Sequence, residues 1–310
     1  LDKSDTVSGS IRPWGLGARV PLYVVSPWSR GGWVNSQVAD HTSVGQFIEK
    51  RFNVTIPAIS PWHRAVCSDL TSCFDFKSPN DPVFPPMPET EGSEQAVLAQ
   101  IHRRHIAPPA AAQPLFQEPG SRPSRALPYV LDVRAKHKSG EITLDFVNTG
   151  KAGAVFHVYD KLHLDRIPRR YTVEAGKRLS DTWDTSADTG RHNLWVLGPN
   201  GFLRTFADAT SKIDASLDAD IRARKIALTV RNAGEASQTL TLHAGVYDSS
   251  TPETLTLAPG KSAKRSWSVA DSGNWYDVKL SADTFERRFA GRLETGADSI
   301  SDPATGAASV

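Results

Sequence analysis

Two copies of one β-type pattern, arranged in tandem, restrict the possible folds of this chain more than any other feature. The run Leu144–Gly150 (LDFVNTG) matches Leu228–Gly234 (LTVRNAG), which aligns Asn148 with Asn232. Apolar residues alternate through Glu141–Val147, which puts every second side chain on one face, as in a half-buried strand. Further pairs follow in order and at nearly the same offset: Val158-Tyr159-Asp160 with Val246-Tyr247-Asp248, Glu174–Lys177 with Leu257–Lys261, Trp183 with Trp267, and Phe202 and Phe206 with Phe285 and Phe289.

An ordered series of matches is typical of a duplicated domain. The series predicts two tandem all-β sandwich domains, residues 123–210 and 215–294, each with about seven strands. The paired Trp and Phe residues are predicted to lie in the two cores.

The stretch Gly15–Phe52 has the pattern of a strand, a sharp loop and a helix. Val20–Val25 is an apolar run that predicts a buried strand of a mixed α/β sheet. Arg30–Gly32 supplies the freedom that a sharp turn needs, and Asp40–Ser43 carries side-chain oxygens that can cap a helix. His41 is therefore predicted at a helix N-terminus, a place that favours phosphate groups.

Two interpretations of this stretch stay open on the residues alone. Arg30 and His41 fit a phosphate-handling site at the edge of an α/β sheet. They also fit a surface cation and a helix-start residue, with Trp28 and Trp33 serving only as packing, and the spacing alone favours this second interpretation because a lone histidine near a helix start is common.

Composition limits the partners of the chain. Its 310 residues carry 36 Lys and Arg against 34 Asp and Glu, and no basic run indicates a nucleic-acid partner. No apolar run approaches the roughly 18 to 20 residues that cross a bilayer, so membrane contact is expected to be peripheral. The first residues lack the features of a signal peptide. Because a predicted sheet strand follows at once, with no earlier partners in the sequence, we expect the chain to be the C-terminal part of a longer protein.

Less regular segments connect and end these units. Residues 79–122 are a Pro-rich connector with one predicted amphipathic helix over 93–106. His102 and His105 in that helix have a spacing compatible with metal ligation, although the arginines between them favour a solvated face. Residues 295–310 are small and polar and predict a disordered tail.

The two cysteines allow two states. Cys67 and Cys73 are close enough in sequence to form a disulfide if the turn between them is tight, which would suit an oxidising compartment. Two free buried thiols are the alternative.

Three segments resemble bacterial phospholipases C and the related acid phosphatases. They are RVPLYVVSPWSRGGWVNSQVADHTSVGQFIE from Arg19, ISPWHRAVCSDLTSCFDF from Ile59 and QEPGSRPSRALPY from Gln117. The likeness is greatest to the phosphocholine-preferring phospholipases C, whose catalytic domain is related to alkaline phosphatases and sulfatases. It implies that residues 1–78 are the C-terminal remnant of an alkaline-phosphatase-like α/β domain, followed by the two sandwiches.

The resemblance also implies an activity. The full-length protein is expected to be secreted or periplasmic and to hydrolyse phosphatidylcholine-type lipids to diacylglycerol and phosphocholine. A divalent metal of unknown identity is implied, with the hydroxyl nucleophile and most metal ligands in an upstream catalytic half. The chain alone is therefore expected to be inactive, with the upstream half and a phospholipid surface as its partners.

Within this chain the resemblance points to one wall of the pocket. Ser29, Arg30 and His41 are candidate pocket residues, with Arg30 suited to phosphate because its planar fork matches two oxygens. Trp28 and Trp33 are candidates for cation–π contact with choline. Ser36 stands where related acid phosphatases carry a histidine, so no metal ligand is assigned here.

Two other functions stay open at this stage. The sandwiches fit a non-catalytic module that binds lipid, carbohydrate or a partner protein. An acid phosphatase acting on phosphomonoesters is the other alternative, disfavoured by the two repeats and by the DHTS motif at Asp40–Ser43.

Overall fold

The computed structural model describes residues 6–7, 10–11, 16–17, 20–78, 86, 89–100, 110, 120–209, 212–247 and 251–305. These residues are mostly β-sheet with few helices. The predicted β-rich character of the second half is confirmed.

Short elements precede the β-rich part. They are strands β1 (Thr6–Val7) and β2 (Ser10–Ile11), which pair with each other, and helices α1 (His41–Phe52), α2 (Pro61–Val66) and α3 (Ser93–Gln100). Helix α1 begins where Asp40 caps it and ends where Asn53 adopts a left-handed conformation, which stops the helical hydrogen-bond pattern.

Strand β3 (Pro123–Ser124) opens the first repeat. Seven strands follow: β4 (Leu131–Lys138), β5 (Glu141–Asn148), β6 (Ala154–Asp160), β7 (Arg169–Val173), β8 (Lys177–Asp184), β9 (His192–Leu197) and β10 (Leu203–Asp208). Burial alternates along β5, where Ile142, Leu144 and Phe146 are fully buried, as the sequence pattern predicts.

The second repeat has the same order of strands. They are β11 (Ile213–Asp220), β12 (Lys225–Asn232), β13 (Gln238–His243), β14 (Glu253–Leu257), β15 (Ser262–Ser268), β16 (Trp275–Ala282) and β17 (Phe285–Arg292), followed by the short β18 (Ser299–Ile300). The paired residues Phe202, Phe285, Phe206 and Phe289 are buried, as predicted.

The two repeats share one large sheet. Its order is β14-β13-β16-β17-β10-β9-β6-β7, and the last strands of the two repeats, β10 and β17, pair antiparallel at its centre. Each repeat adds a three-stranded sheet, β4-β5-β8 in the first and β11-β12-β15 in the second. The repeats are therefore joined by backbone hydrogen bonds as well as by chain connectivity.

Each repeat buries its own hydrophobic core between its three-stranded sheet and its half of the shared sheet. Phe146 and Phe156 meet in the first core at a ring distance of 5.3 Å, and Leu228 and Leu280 lie in the second. Complete burial of one such side chain contributes roughly 1.5 to 3 kcal/mol, which makes these clusters the main stabilising term.

The predicted strand over Val20–Val25 is wrong. The segment has no regular secondary structure and pairs with no strand in the described ranges, and the side chains of Tyr23 and Val25 are 85% and 95% exposed. An apolar run becomes a strand only when a neighbour supplies hydrogen-bond partners, and Pro21 has no N–H group to offer.

The predicted disorder of the C-terminal tail is wrong for residues 295–305. Strand β18 pairs with β3, and the Trp275 indole N–H donates to the Ile300 carbonyl at 3.1 Å. The small polar residues find main-chain partners in the first repeat, which a composition argument does not reveal. Residues 306–310 lie outside the described part.

Helix α3 is described over Ser93–Gln100, the first part of the predicted helix 93–106. Its apolar residues Val97 and Leu98 are 60% and 55% exposed. The rest of the predicted helix, with His102 and His105, lies outside the described residues.

Candidate functional site

The loop from Ser26 to Val34 is held by its own backbone and by Ser29. The Ser29 N–H donates to the Ser26 carbonyl at 3.1 Å, and the Ser29 hydroxyl donates to the Val24 carbonyl at 2.7 Å. Gly31 and Gly32 follow with φ of +105° and +65°, values that L-residues rarely adopt. The Ser29 hydroxyl thus stabilises the loop.

The far end of the loop is attached to the first repeat. The Val34 N–H donates to the Pro123 carbonyl at 2.8 Å, and the Arg125 N–H donates to the Val34 carbonyl at 2.9 Å. The Arg125 guanidinium lies 3.9 Å from the centre of the Trp33 ring and is paired with Asp298 at 3.2 Å. One face of Trp33 therefore already carries a cation, which favours a packing role for this residue.

Trp28 belongs to a row of aromatic side chains that runs from the loop to helix α1. Ring centres are 5.7 Å apart for Trp28 and Phe76, 5.4 Å for Phe76 and Phe74, and 5.2 Å for Phe74 and Phe47. Trp28 is 44% exposed and Phe76 62% exposed. The outer end of the row thus offers an open aromatic surface.

His41 is the first residue of α1, and its neighbour Asp40 forms the cap. The Asp40 carboxylate accepts from the Thr42 N–H at 2.9 Å, and the Asp40 N–H donates to the Ser43 hydroxyl at 3.1 Å. The His41 side chain is exposed beside this cap. The helix start is as predicted, and the imidazole is accessible to solvent.

Asp40 also contacts a histidine that the sequence analysis missed. The second carboxylate oxygen of Asp40 lies 3.4 Å from His63 Nε2, and His63 Nδ1 lies 2.7 Å from the Ser60 hydroxyl. Ser60 caps α2, which places His63 in the first turn of that helix. The signal was a serine followed by Pro61 and, three residues on, a histidine.

Both cysteines are free thiols, so the disulfide interpretation is wrong. Cys67 is buried at the end of α2, where burial first and Asp40 second raise the pKa of its thiol to about 12. Cys73 lies in a short turn and accepts from the Asn35 side-chain amide at 3.2 Å, while burial raises its pKa. Each thiol has its own local partner, and both stay protonated at neutral pH.

The structure brings some of the predicted site residues together. Trp28, Ser29 and Trp33 share the loop with the half-buried Arg30. Across the described ranges, no hydrogen bond, ion pair or ring contact joins Ser29 to His41. No group of three or more His, Cys, Asp or Glu side chains suited to a metal ion occurs there either. The divalent metal that the resemblance implies has no fitting donor set in these residues.

None of the helices in the described part has the length and apolar character that a bilayer crossing requires.

Comparisons with known proteins agree with this arrangement. The family model described as bacterial phospholipase C, C-terminal domain, matches residues 123–207 and again 213–292, and the model of the phosphoesterase family matches residues 1–55. The two consecutive matches coincide with the two repeats.

Named relatives are similar along nearly the whole chain. A non-hemolytic phospholipase C of Pseudomonas aeruginosa is 46% identical over 95% of this chain and 44% of the relative. A non-hemolytic phospholipase C of Burkholderia pseudomallei is 44% identical over 94% of the chain and 43% of the relative. A hemolytic phospholipase C of Pseudomonas aeruginosa is 34% identical over 94% and 45%. The chain thus spans less than half the length of these relatives.

A solved transglutaminase of red sea bream covers 67% of this chain and 33% of its own, at 13% identity and a TM-score of 0.18. A likeness this weak supports no conclusion.

Proposed function

Because this chain belongs to the bacterial phospholipase C family, we propose that it is the C-terminal portion of a secreted or periplasmic phospholipase C. The full-length protein hydrolyses the phosphodiester of phosphatidylcholine-type lipids to diacylglycerol and phosphocholine. The observation that carries this proposal is the order of the family matches, a phosphoesterase segment followed by two C-terminal repeats.

Each segment of this chain has a proposed place in the full-length protein. Residues 1–78 close an alkaline-phosphatase-like α/β domain, 79–122 connect, and 123–210 and 215–294 are tandem β-sandwiches. The hydroxyl nucleophile and the main metal ligands belong to the part of the relatives that this chain does not span, and the relatives' greater length supports this assignment.

The proposed docking partner of Val20–Val25 is that upstream half. The segment is apolar, and its side chains are largely exposed. An apolar segment with exposed side chains, outside any sheet of the described residues, is suited to adding a strand to a neighbouring sheet. Docking there would bring the loop and His41 next to the upstream catalytic groups.

In the proposed pocket, Arg30 contacts the lipid phosphate and Trp28 contacts the choline methyl groups. The open aromatic surface of Trp28 and Phe76 supports the second role, because a quaternary ammonium is attracted to ring faces by roughly 0.5 to 2 kcal/mol. The Arg125 cation on Trp33 makes Trp28 the better candidate of the two.

The direct test compares the full-length protein with this chain, using a chromogenic phosphocholine ester and phosphatidylcholine vesicles. We expect hydrolysis by the full-length protein and none by the chain alone. Turnover by the chain alone would contradict the assignment of the nucleophile to the upstream half. Vesicle binding by a full-length protein without hydrolysis would favour the non-catalytic module instead.

A second test addresses Arg30 in the full-length protein. Arg30→Ala is expected to reduce kcat/KM for the phosphocholine ester, with Arg51→Ala on the exposed side of α1 as a matched control. A loss in kcat/KM of less than about threefold, equal to about 0.7 kcal/mol of transition-state stabilisation, would contradict the assignment of Arg30 to the pocket.

A further inference from the structure

A loop of the first repeat exposes three large apolar side chains. It spans residues 161–168 between β6 and β7 and has the sequence KLHLDRIP. Leu162, Leu164 and Ile167 are 38%, 63% and 38% exposed. Single exposed apolar residues are normal on a folded protein, whereas three in one short loop indicate a surface that meets a partner.

Hydrogen bonds stabilise the loop in this form. The His163 N–H donates to the Asp160 carbonyl at 3.1 Å, and the Arg166 N–H donates to the His163 carbonyl at 3.0 Å, which gives two consecutive turns. His163 Nε2 also lies 2.8 Å from the Asp188 carboxylate, in the turn that follows β8. The apolar side chains are therefore presented in advance, so binding through them requires little further ordering of the loop.

Two aromatic side chains lie at the base of the loop. Lys161 Nζ lies 3.8 Å from the centre of the Trp195 ring, and the Lys161 N–H donates to the Asn193 carbonyl at 2.8 Å. Tyr159 of β6 is the register partner of Trp195. Both residues are half-buried and alternate with the core residues of their strands, so they lie on the outer face of the shared sheet. Tyrosine and tryptophan at such a surface are typical of a membrane–water interface, because each ring joins an apolar body to a polar group.

The charges around the loop are close to balance. Residues 160–170 carry four Lys or Arg and two Asp. Arg166 pairs with Asp160 at 3.4 Å, and Arg169 pairs with Asp181 at 2.8 Å. A strongly anionic membrane attracts clusters of unbalanced Lys and Arg. The loop therefore suits a zwitterionic lipid, whose headgroup has a phosphate and an ammonium, better than an anionic one.

The second repeat has other residues at the equivalent positions. Because β16 pairs with β17 as β9 pairs with β10, strand register places His243 and Lys279 where Tyr159 and Trp195 stand in the first repeat. The connection between β13 and β14, residues 244–252, reads AGVYDSSTP and contains no Leu, Ile, Lys or Arg. The sandwich architecture therefore requires neither the aromatic pair nor the apolar loop, and the first repeat has both.

The loop lies at the end of β6 that points away from the helices. At the other end, the Gly153 N–H donates to the Ala65 carbonyl of α2 at 2.7 Å, and the Trp62 indole N–H donates to the Thr172 hydroxyl of β7 at 3.0 Å. A strand of seven residues such as β6 spans roughly 20 Å. Substitutions in the loop therefore do not touch the residues proposed for the pocket.

We propose that the loop at residues 161–168 is a membrane-docking site that inserts into the surface of a phosphatidylcholine-type bilayer. Its three apolar side chains enter the boundary of the acyl chains, while Trp195 and Tyr159 lie at the level of the headgroups. The choice of lipid rests on the proposed function, whereas the position of the site follows from the loop itself. Docking there holds the full-length protein on the surface that carries its substrate.

Co-sedimentation of the whole chain with sucrose-loaded dioleoylphosphatidylcholine vesicles tests this site. We expect saturable binding that changes by less than about twofold between roughly 0.1 and 0.5 M salt, because salt screens ionic attraction and not apolar insertion. No binding up to roughly 1 mM lipid would overturn the proposal. Binding that needs phosphatidylserine in the vesicles and is lost at high salt would overturn it as well, since it would identify a basic surface instead.

Matched double variants assign the binding to the loop. Leu164→Ser combined with Ile167→Ser is expected to weaken vesicle binding by at least about tenfold while the melting temperature stays the same, because both side chains are exposed in the folded chain. Val97→Ser combined with Leu98→Ser, at side chains 60% and 55% exposed on α3, is the control and should bind as the parent does. Parental binding by the loop variant, or an equal loss in the control, would contradict the assignment.

Activity of the full-length protein separates the docking site from the proposed function. The loop variant should hydrolyse the soluble phosphocholine ester at the parental rate and vesicle phosphatidylcholine more slowly. Equal losses on the two substrates would refute a docking role. A full-length parent that hydrolyses neither substrate would contradict the proposed function, and sedimentation of the chain and its two double variants would still decide whether the loop binds lipid.

Discussion

The buried Asn232 side chain makes three hydrogen bonds, and its removal should destabilise the second repeat by about 3 kcal/mol. Its amide donates to the carbonyls of Ala236 at 2.8 Å and Leu257 at 2.9 Å, and its oxygen accepts from the Gly234 N–H at 2.9 Å. The residue is 0% exposed, so water does not replace these bonds in the folded state. Three bonds at about 1 kcal/mol each give the magnitude.

The assay is urea unfolding of Asn232→Ala, with Arg231→Ala on the exposed side of the same strand as control. Asn148 makes the same three bonds in the first repeat, to Ala152, Val173 and Gly150, so Asn148→Ala should cost a similar amount. A loss below about 1 kcal/mol at Asn232, with the control unchanged, would refute the reasoning, because it would mean that the orphaned groups find other partners.

Other predictions concern pH, a glycine and a cap. Burial first, and then the Arg287 charge, lower the pKa of His192 to about 4, despite weaker opposing effects of Asp208 and the Gly190 carbonyl; the pKa of His137 is lowered to about 4 as well. In the unfolded protein these histidines accept protons from about pH 6.5 downward, whereas in the folded protein they do so only near about pH 4. The free energy of unfolding should therefore fall as the pH drops from about 6.5 to 4. His192→Phe should make this fall less steep when urea unfolding is measured across the same pH range. Gly245→Ala should lower the melting temperature, because φ is +74° and a Cβ would lie 2.2 Å from the Asp277 carbonyl oxygen. Gly260→Ala, at a φ of +71° with no atom within 4 Å of the added Cβ, is the control and should cost less. Asp40→Ala should cost about 1 kcal/mol through the lost cap, measured by thermal unfolding.

The repeats could be predicted from sequence because period-2 alternation and turn residues recur at one offset. The shared eight-stranded sheet could not. Pairing of β10 with β17 joins strands that belong to different repeats and lie far apart in the chain, and no local pattern encodes which strand ends meet.

Two details of the repeat were predicted only in part. The match of Asn148 with Asn232 located the repeat but did not indicate that Asn148 is fully buried and donates to the Val173 carbonyl. The match of Val158 with Val246 was wrong, because strand register aligns Val158 of β6 with Leu242 of β13, and Val246 lies in a short turn. Side-chain identity alone aligned the wrong residues where the spacing departed from the common offset.

At the candidate site, sequence patterns located the helix start and the loop. They missed the contact of Asp40 with His63, because the two belong to different helices and only the packing of α2 against α1 brings them together. They predicted a strand at Val20–Val25 from hydrophobicity, which does not report whether a partner strand is present.

The β10–β17 contact also bears on how either repeat would behave alone. A single repeat would present the whole length of its last strand as an open edge. It would also expose to solvent the guanidinium of Arg204 or Arg287, which is buried in the intact chain. The same self-complementary edge on a second molecule would cover it. Separated repeats should therefore associate in pairs in solution, and the covalent duplication replaces that concentration-dependent step with a fixed intramolecular one.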